Sequence, residues 1–224
     1  MGLLDLIFPK RCVACGRLGD YLCREDAEKI TSAKSFCPVC QKGAVGGTTH
    51  ARCKQKLSLD GLICIFDYGS PIKELIHEMK YRFVQDLQTV VQKELTKMKQ
   101  LDGYDFKGFE LLPIPQHKKR ENWRGFNQTE ILGKLVAKRL KITPQTEVLA
   151  KAKETKPQVE LKRKERLKQM SGAFALEPAV SVLGKKFIIF DDVWTTGATL
   201  KAAASVLKRK GAAKVWGVAF ASSH

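Results

Sequence analysis

Apolar residues along this chain fall into short runs separated by polar stretches, and the period of each run predicts an element. Leu62 to Tyr68 is a nearly continuous apolar run and reads as a strand. Pro71 opens a helix that the pattern carries to about Met79, proline being favoured in a first turn that does not need its N–H. Val84 to about Lys99 reads as a second helix, and Glu110 to Ile114 as a short strand ending at Pro113 and Pro115. Thr129 to about Leu140 is helical, with Ile131, Leu132, Leu135 and Val136 on its apolar face. Phe187 to Phe190 is a compact apolar run, the pattern of a strand covered on both faces. Leu200, Ala203, Ala204 and Leu207 follow at helical spacing, and Val215 to Phe220 closes as a strand. Strands alternating with helices imply an α/β fold with a doubly wound, mostly parallel sheet. Ligands of such sheets gather at the carboxyl ends of the strands.

Before about Leu59 this pattern is missing. Residues 1–58 are rich in Cys, Gly and polar side chains, so we expect a small N-terminal module there and an α/β domain over 59–224. Six of the seven cysteines lie in the first 53 residues, as Cys12-x-x-Cys15, Cys23, Cys37-x-x-Cys40 and Cys53. Paired knuckles of this kind point to metal rather than disulfides in a reducing compartment. Asp26 and His50 complete two consecutive sets: Cys12, Cys15, Cys23, Asp26 and Cys37, Cys40, His50, Cys53. Both suit tetrahedral Zn²⁺ in a closed, structural role. One zinc shared by Cys12, Cys15, Cys37 and Cys40 is the competing arrangement, so the expectation is one or two ions. Few large apolar residues are present to build a core here, so metal binding must supply much of this segment's folding free energy. Cys64, inside an apolar run, reads as a packed core thiol.

The chain has 224 residues and a formal net charge of +17. A balance this basic favours polyanions and phosphate-rich ligands as partners. No apolar run is long enough to cross a membrane, so no membrane insertion is expected. Met1 to Pro9 contains Asp5 and too short an apolar stretch for a secretory signal, and Leu6 stands where myristoylation needs Ser or Thr. We therefore expect a cytoplasmic protein.

Three stretches carry candidate chemistry. In Lys186 to Leu200, Asp191 and Asp192 follow the apolar strand, and Thr195, Thr196, Gly197, Ala198 and Thr199 turn the chain into a helix. A helix N-terminus presents unpaired N–H groups and attracts phosphate. Gly197 allows close backbone approach, and the Thr hydroxyls add donors. Adjacent carboxylates beside a phosphate cradle suit ribose hydroxyls or a bridging Mg²⁺. In Ile114 to Gln128, Lys118, Lys119, Arg120 and Arg124 flank Trp123 and lead to Gln128, beyond a strand end, which suits a pyrophosphate, a phosphodiester or a stacked base. Trp194 and Phe126 are further candidates for stacking. Lys80, Tyr81 and Arg82 are read as a strand–helix junction where Lys80 could reach a phosphate. Lys151 to Phe174 is long and basic, as expected of a hood that keeps water from a reacting centre, or of a solvated amphipathic helix over Val159 to Met170. Leu112 to Met170 holds sixteen Lys and Arg against six Glu, so most of the excess charge lies around the expected crevice.

The Asp191-Asp192 pair followed by Thr195-Thr-Gly-Ala-Thr199 resembles the phosphoribosyl pyrophosphate (PRPP) loop of type I phosphoribosyltransferases. The resemblance implies that the acids hold the ribose 2- and 3-hydroxyls and the loop the 5-phosphate, with Mg²⁺. With the cysteine knuckles upstream and Arg124-Gly-Phe-Asn-Gln128 between, essentially the whole chain resembles the ComF family of competence-associated proteins, including its GntX-type members. The chain departs from that family at Asp26 and His50, where the family has cysteines. The basic stretch is similar in placement to the flexible loop of amidophosphoribosyltransferases, which carries over Thr155, Gln158, Arg163 and Arg166. The resemblance implies a zinc ribbon before a phosphoribosyltransferase-like domain, and a role in DNA uptake and natural transformation. It implies handling of single-stranded DNA near a DNA translocase or helicase and recombination proteins. An active Mg²⁺-dependent phosphoribosyltransferase with an unidentified acceptor is the alternative.

Overall fold

Each apolar run becomes a strand or a helix face at close to its expected position. The computed structural model describes residues 9–81, 85–116, 127–152 and 172–224. In chain order its elements are Arg24–Ala27 (α1), Gly61–Asp67 (β1), Ile72–Tyr81 (α2), Gln85–Lys97 (α3), Phe109–Pro113 (β2), Gln128–Leu140 (α4), Thr143–Pro144 (β3), Leu149–Lys151 (β4), Phe174–Leu176 (β5), Lys186–Trp194 (β6), Ala198–Arg209 (α5) and Lys214–Ser222 (β7). Five strands form one parallel sheet in the order β1-β7-β6-β2-β3. β4 and β5 make a separate antiparallel ribbon.

The sheet is covered on both faces, as the continuous apolar runs require. Leu62, Cys64, Leu112, Phe187, Ile189, Val215 and Ala219 face one layer with α5, whose Leu200, Ala203, Ala204 and Leu207 are buried there. Ile63, Ile65, Leu111, Ile188, Phe190, Val218 and Phe220 face the other, against α2, α3 and α4. Successive strand residues thus feed opposite layers, which is the period of a pleated strand. α4 begins with the Asn127 side chain accepting from the Thr129 N–H and ends with Lys141 in the left-handed conformation.

The N-terminal segment covers the edge of β1. The Ala33 N–H donates to the Ile65 carbonyl at 3.2 Å, and the Asp67 N–H donates to the Thr31 carbonyl at 3.0 Å. A further pairing joins Thr48 to Gly61. An edge strand's free N–H and C=O groups are satisfied in this way, and the edge is closed to other chains. The main departures from the pattern reading are local. β6 runs four residues past its apolar core to Trp194, because β7 continues to pair with it. Lys80 and Tyr81 belong to the last turn of α2 rather than to a strand–helix junction, since the helical spacing runs on past Met79. β3, β4 and β5 are too short to stand out as apolar runs.

Candidate anion site and metal centres

The chain reverses its direction of travel across the sheet between β2 and β6. From β2 it passes through α4 to β3 on one side, then returns to β6 on the other. The carboxyl ends of β2 and β6 therefore diverge, and a crevice opens there. β2 pairs with β6 as far as Pro113 opposite Phe190, and the Ile114 N–H makes a last bond to the Phe190 carbonyl at 2.8 Å. Asp191 and Asp192 are the next residues of β6, where its β2 neighbour has gone. The Asp192 N–H donates to Asp191 Oδ1 at 3.0 Å, and the Val193 N–H donates to Asp192 Oδ1 at 2.8 Å. These bonds orient both carboxylates.

The loop after β6 sits on an indole. Gly197 is the N-cap of α5 with φ 71°, a left-handed conformation that glycine adopts without strain. A Cβ on Gly197 would lie 2.0 to 2.4 Å from three ring atoms of Trp194. Trp194 is 1% exposed, and its ring forms the floor of the loop. It is therefore no free stacking surface for a base. Lys201 lies 5.3 Å above the same ring and donates to the Thr196 carbonyl at 3.2 Å. Thr196 Oγ1 accepts from the Ala198 N–H at 3.4 Å. Gly197 itself has no side chain with which to cap α5. The geometry is a helix N-terminus with a cation close by, two carboxylates upstream, and a depression lined by Asp191, Val193, Trp194, Thr195, Gly197, Ala198, Thr199 and Leu200. Pattern reasoning missed Trp194 as a support. Its signal is a large aromatic immediately before a Thr-Thr-Gly turn.

The rest of the expected rim is placed unevenly. Lys118, Lys119, Arg120, Trp123 and Arg124 lie in 117–126, and Thr155, Gln158, Arg163 and Arg166 lie in 153–171, both outside the described residues. The second stretch is bracketed by the β4–β5 ribbon, where the Ala152 N–H donates to the Ala173 carbonyl at 2.8 Å. Lys80 is in α2, and its side chain is outside the described set. Gln128 is 1% exposed, and its amide donates to the Ile76 carbonyl at 3.0 Å, so it ties α4 to α2 within the core.

In the N-terminal segment the eight expected ligands assemble as two separate sets, Cys12, Cys15, Cys23, Asp26 and Cys37, Cys40, His50, Cys53, with the donor atoms of each within 4.8 Å of one another. A tetrahedral zinc with Zn–S near 2.3 Å places its sulfurs about 3.8 Å apart. Cys15 Sγ and Cys23 Sγ are 3.7 Å apart, and Asp26 Oδ2 lies 3.1 and 3.2 Å from the sulfurs of Cys12 and Cys23. Cys40 Sγ and His50 Nδ1 are 3.4 Å apart, and the other ring nitrogen meets the Gly43 carbonyl at 3.1 Å, which orients the imidazole. Both donor sets fit a zinc ion, and the shared four-cysteine arrangement is not the one adopted.

The two knuckles are built alike. The Cys12 N–H bonds the Arg17 carbonyl at 2.8 Å and the Gly16 N–H the Cys12 carbonyl at 2.9 Å. Cys37 with Lys42 and Gln41 with Cys37 repeat those bonds at 2.9 Å each. The residue after the second cysteine is left-handed in both, Gly16 at φ 74° and Gln41 at φ 61°. Burial alone would raise the first thiol of each knuckle. The amides of Cys15, Cys23 and Ala14 around Cys12, and of Cys40, His50 and Val39 around Cys37, outweigh burial and favour thiolate. The Asp26 carboxylate pushes the Cys15 thiol up to about 12. Asp26 itself is held below the usual carboxylate range, first by Lys29 and then by the thiols of Cys15, Cys12 and Cys23. A divalent cation between these donors would remove that mutual repulsion. Cys64 is buried between the sheet and the α5 layer, as expected of a core thiol.

Residues 130–223 match the phosphoribosyl transferase domain family. The competence protein ComFC of Bacillus subtilis (strain 168) is 30% identical over 203 residues, covering 86% of this chain and 79% of that protein. The DNA utilization protein YhgH of Escherichia coli (strain K12) is 29% identical over 213 residues, covering 91% and 90%. Competence protein F of Haemophilus influenzae is 28% identical over 228 residues, covering 95% and 97%. No helix among the described residues is long and apolar enough to cross a membrane.

Proposed function

Because this chain belongs to the ComF family, we propose that its phosphoribosyltransferase-like domain binds PRPP with Mg²⁺, and that the protein handles incoming single-stranded DNA during uptake. The observation that carries the first half is the placement of Asp191 and Asp192, one turn before the Gly197-capped start of α5, at the point where β2 and β6 part. Asp191 and Asp192 would hold the ribose hydroxyls, and the amides and hydroxyls of Thr195 to Thr199 the 5-phosphate. Mg²⁺, bound with the ligand, would neutralise the pyrophosphate, with Arg120, Arg124 and the basic stretch 153–171 around it. The matched span 130–223 runs from α4 to β7 and includes Asp191, Asp192 and the Thr195–Thr199 loop, while Arg120 and Arg124 precede it.

The DNA half rests on the net charge of +17 and on the names of the relatives, a competence protein and a DNA utilization protein. The expected partners are single-stranded DNA, a translocase or helicase, and recombination proteins in the cytoplasm. The two metal sets hold zinc as structural crosslinks. A second reading is transfer of the phosphoribosyl group to an acceptor. Two adjacent carboxylates would only weaken a site for DNA phosphates but suit a sugar diol, so they support a PRPP site under either reading.

Calorimetry of PRPP with and without Mg²⁺ tests the reading, followed by titration of single-stranded DNA at several salt concentrations. PRPP should give heat that Asp191→Ala abolishes. DNA affinity should fall steeply with salt. No heat from PRPP with the wild-type protein overturns the PRPP half, and DNA binding absent at low salt overturns the other. Pyrophosphate release from PRPP, lost in Asp191→Ala, would separate transfer from binding alone.

A further inference from the structure

The second metal set and the anion loop are joined by a short line of aromatic contacts. Phe36 immediately precedes Cys37 and is 3% exposed. Its backbone is held by a pairing with Gly43 across the knuckle. Its ring centre is 5.9 Å from that of Trp194 and 4.5 Å from that of His224. His224 Nε2 in turn meets the carbonyl of Gln41, inside the same knuckle, at 3.0 Å. Gly197 also lies against Trp194, so close that a single Cβ would not fit. Trp194 Nε1 is buried and has no hydrogen-bond partner among the described residues. The indole is therefore placed by packing, and Phe36 is one wall of that packing.

We propose that Phe36 is a positioning residue for the 195–199 loop: through Trp194 it makes the shape of the loop depend on an intact second metal set of Cys37, Cys40, His50 and Cys53. The physical reason is the small size of the N-terminal segment. Without a metal crosslink its knuckle has little apolar packing of its own and opens. Phe36 then loses its fixed backbone, the indole gains room, and the left-handed Gly197 turn loses its floor. The α5 N-terminal amides stay in place, but the residues that lead into them no longer hold one conformation. The consequence for ligand affinity rests on the PRPP reading above. The consequence for the loop does not.

Native-state hydrogen exchange on the full chain tests this. Peptides covering 190–200 are followed in wild type, Phe36→Ala and Phe36→Leu, each before and after metal chelation, with zinc content measured in parallel and α4 as the reference. Chelation of wild type should raise exchange at 195–199 on the order of tenfold, with α4 unchanged, and Phe36→Ala should do the same with both zinc ions retained. Phe36→Ala should show no further rise on chelation, and Phe36→Leu an intermediate one. PRPP affinity should fall by a similar factor. Loop exchange unaltered in Phe36→Ala, or an equal rise in the loop and α4, overturns the proposal. If Phe36→Ala fails to fold or to keep zinc, Phe36→Leu decides: no loop response with two zinc ions bound overturns the coupling. Should the exchange pattern appear in a protein that gives no heat with PRPP, the coupling stands and the PRPP reading falls.

Discussion

Gly197→Ala is the sharpest probe of the loop, because two separate costs meet there and a second glycine isolates one of them. Gly197 has φ 71°, and its Cβ would lie 2.0 to 2.4 Å from Trp194 ring atoms. Gly184 has φ 72°, and nothing lies within 4 Å of its Cβ position. Alanine at Gly184 therefore adds only the left-handed backbone penalty, about 1–2 kcal/mol. Alanine at Gly197 adds the same penalty plus the cost of forcing a fully buried indole aside, about 1–3 kcal/mol more. The total is about 2–5 kcal/mol. Urea unfolding of the zinc-loaded protein measures both, the comparison being made on midpoints at equal slope. Gly197→Ala should also weaken PRPP binding, whereas Gly184→Ala should leave it unchanged. Equal destabilisation by the two substitutions would refute the reasoning, since the indole would then not be supporting the loop.

Other outcomes follow from single contacts. Gln41 has φ 61° at the position where the first knuckle has Gly16, so Gln41→Gly should stabilise the protein by about 1 kcal/mol in urea unfolding; destabilisation would contradict the match between knuckles. Asp60 Oδ2 accepts from Lys208 Nζ at 2.6 Å and from the Val215 N–H at 2.7 Å in a half-buried setting, so Asp60→Ala should cost about 2–3 kcal/mol and Asp60→Asn less. Burial pushes the Cys64 thiol up to about 12. The folded state thus keeps this proton where the unfolded state, near 8.5, has lost it, and stability falls as pH rises through that interval. Urea midpoints of wild type should therefore drop faster above pH 9 than those of Cys64→Val; parallel curves would count against it. Asp26→Ala should reduce bound zinc from two ions to one by elemental analysis, because only the first set contains Asp26.

Much of the molecule was legible from local pattern. The apolar runs at 62–66 and 187–190 are strands because a strand buried on both faces must be apolar at every position, a property each run carries by itself. The eight candidate metal donors are legible because knuckle spacing is short-range chemistry. Asp191, Asp192 and the Thr195–Thr199 turn were legible for the same reason: strand end, acids and helix start are consecutive. What local pattern misassigned is instructive. Local pattern reads Lys80 as a junction residue although the helix runs on to Tyr81, and it offers Trp194 as a stacking surface although that residue is buried under the loop.

The sequence by itself thus determined the alternation of strands and helices, the two ligand sets and the acid–loop motif, since each depends on residues close together along the chain. Only the tertiary structure decided the strand order β1-β7-β6-β2-β3, which places the parting of β2 and β6 at Asp191. It alone brought Phe36 to Trp194 and Trp194 to Gly197, and so set the N-terminal segment against the anion loop. The strand pairings and the Phe36–Trp194 contact join residues far apart in the chain. They arise from how packed layers fill space, and a one-dimensional pattern carries no record of them.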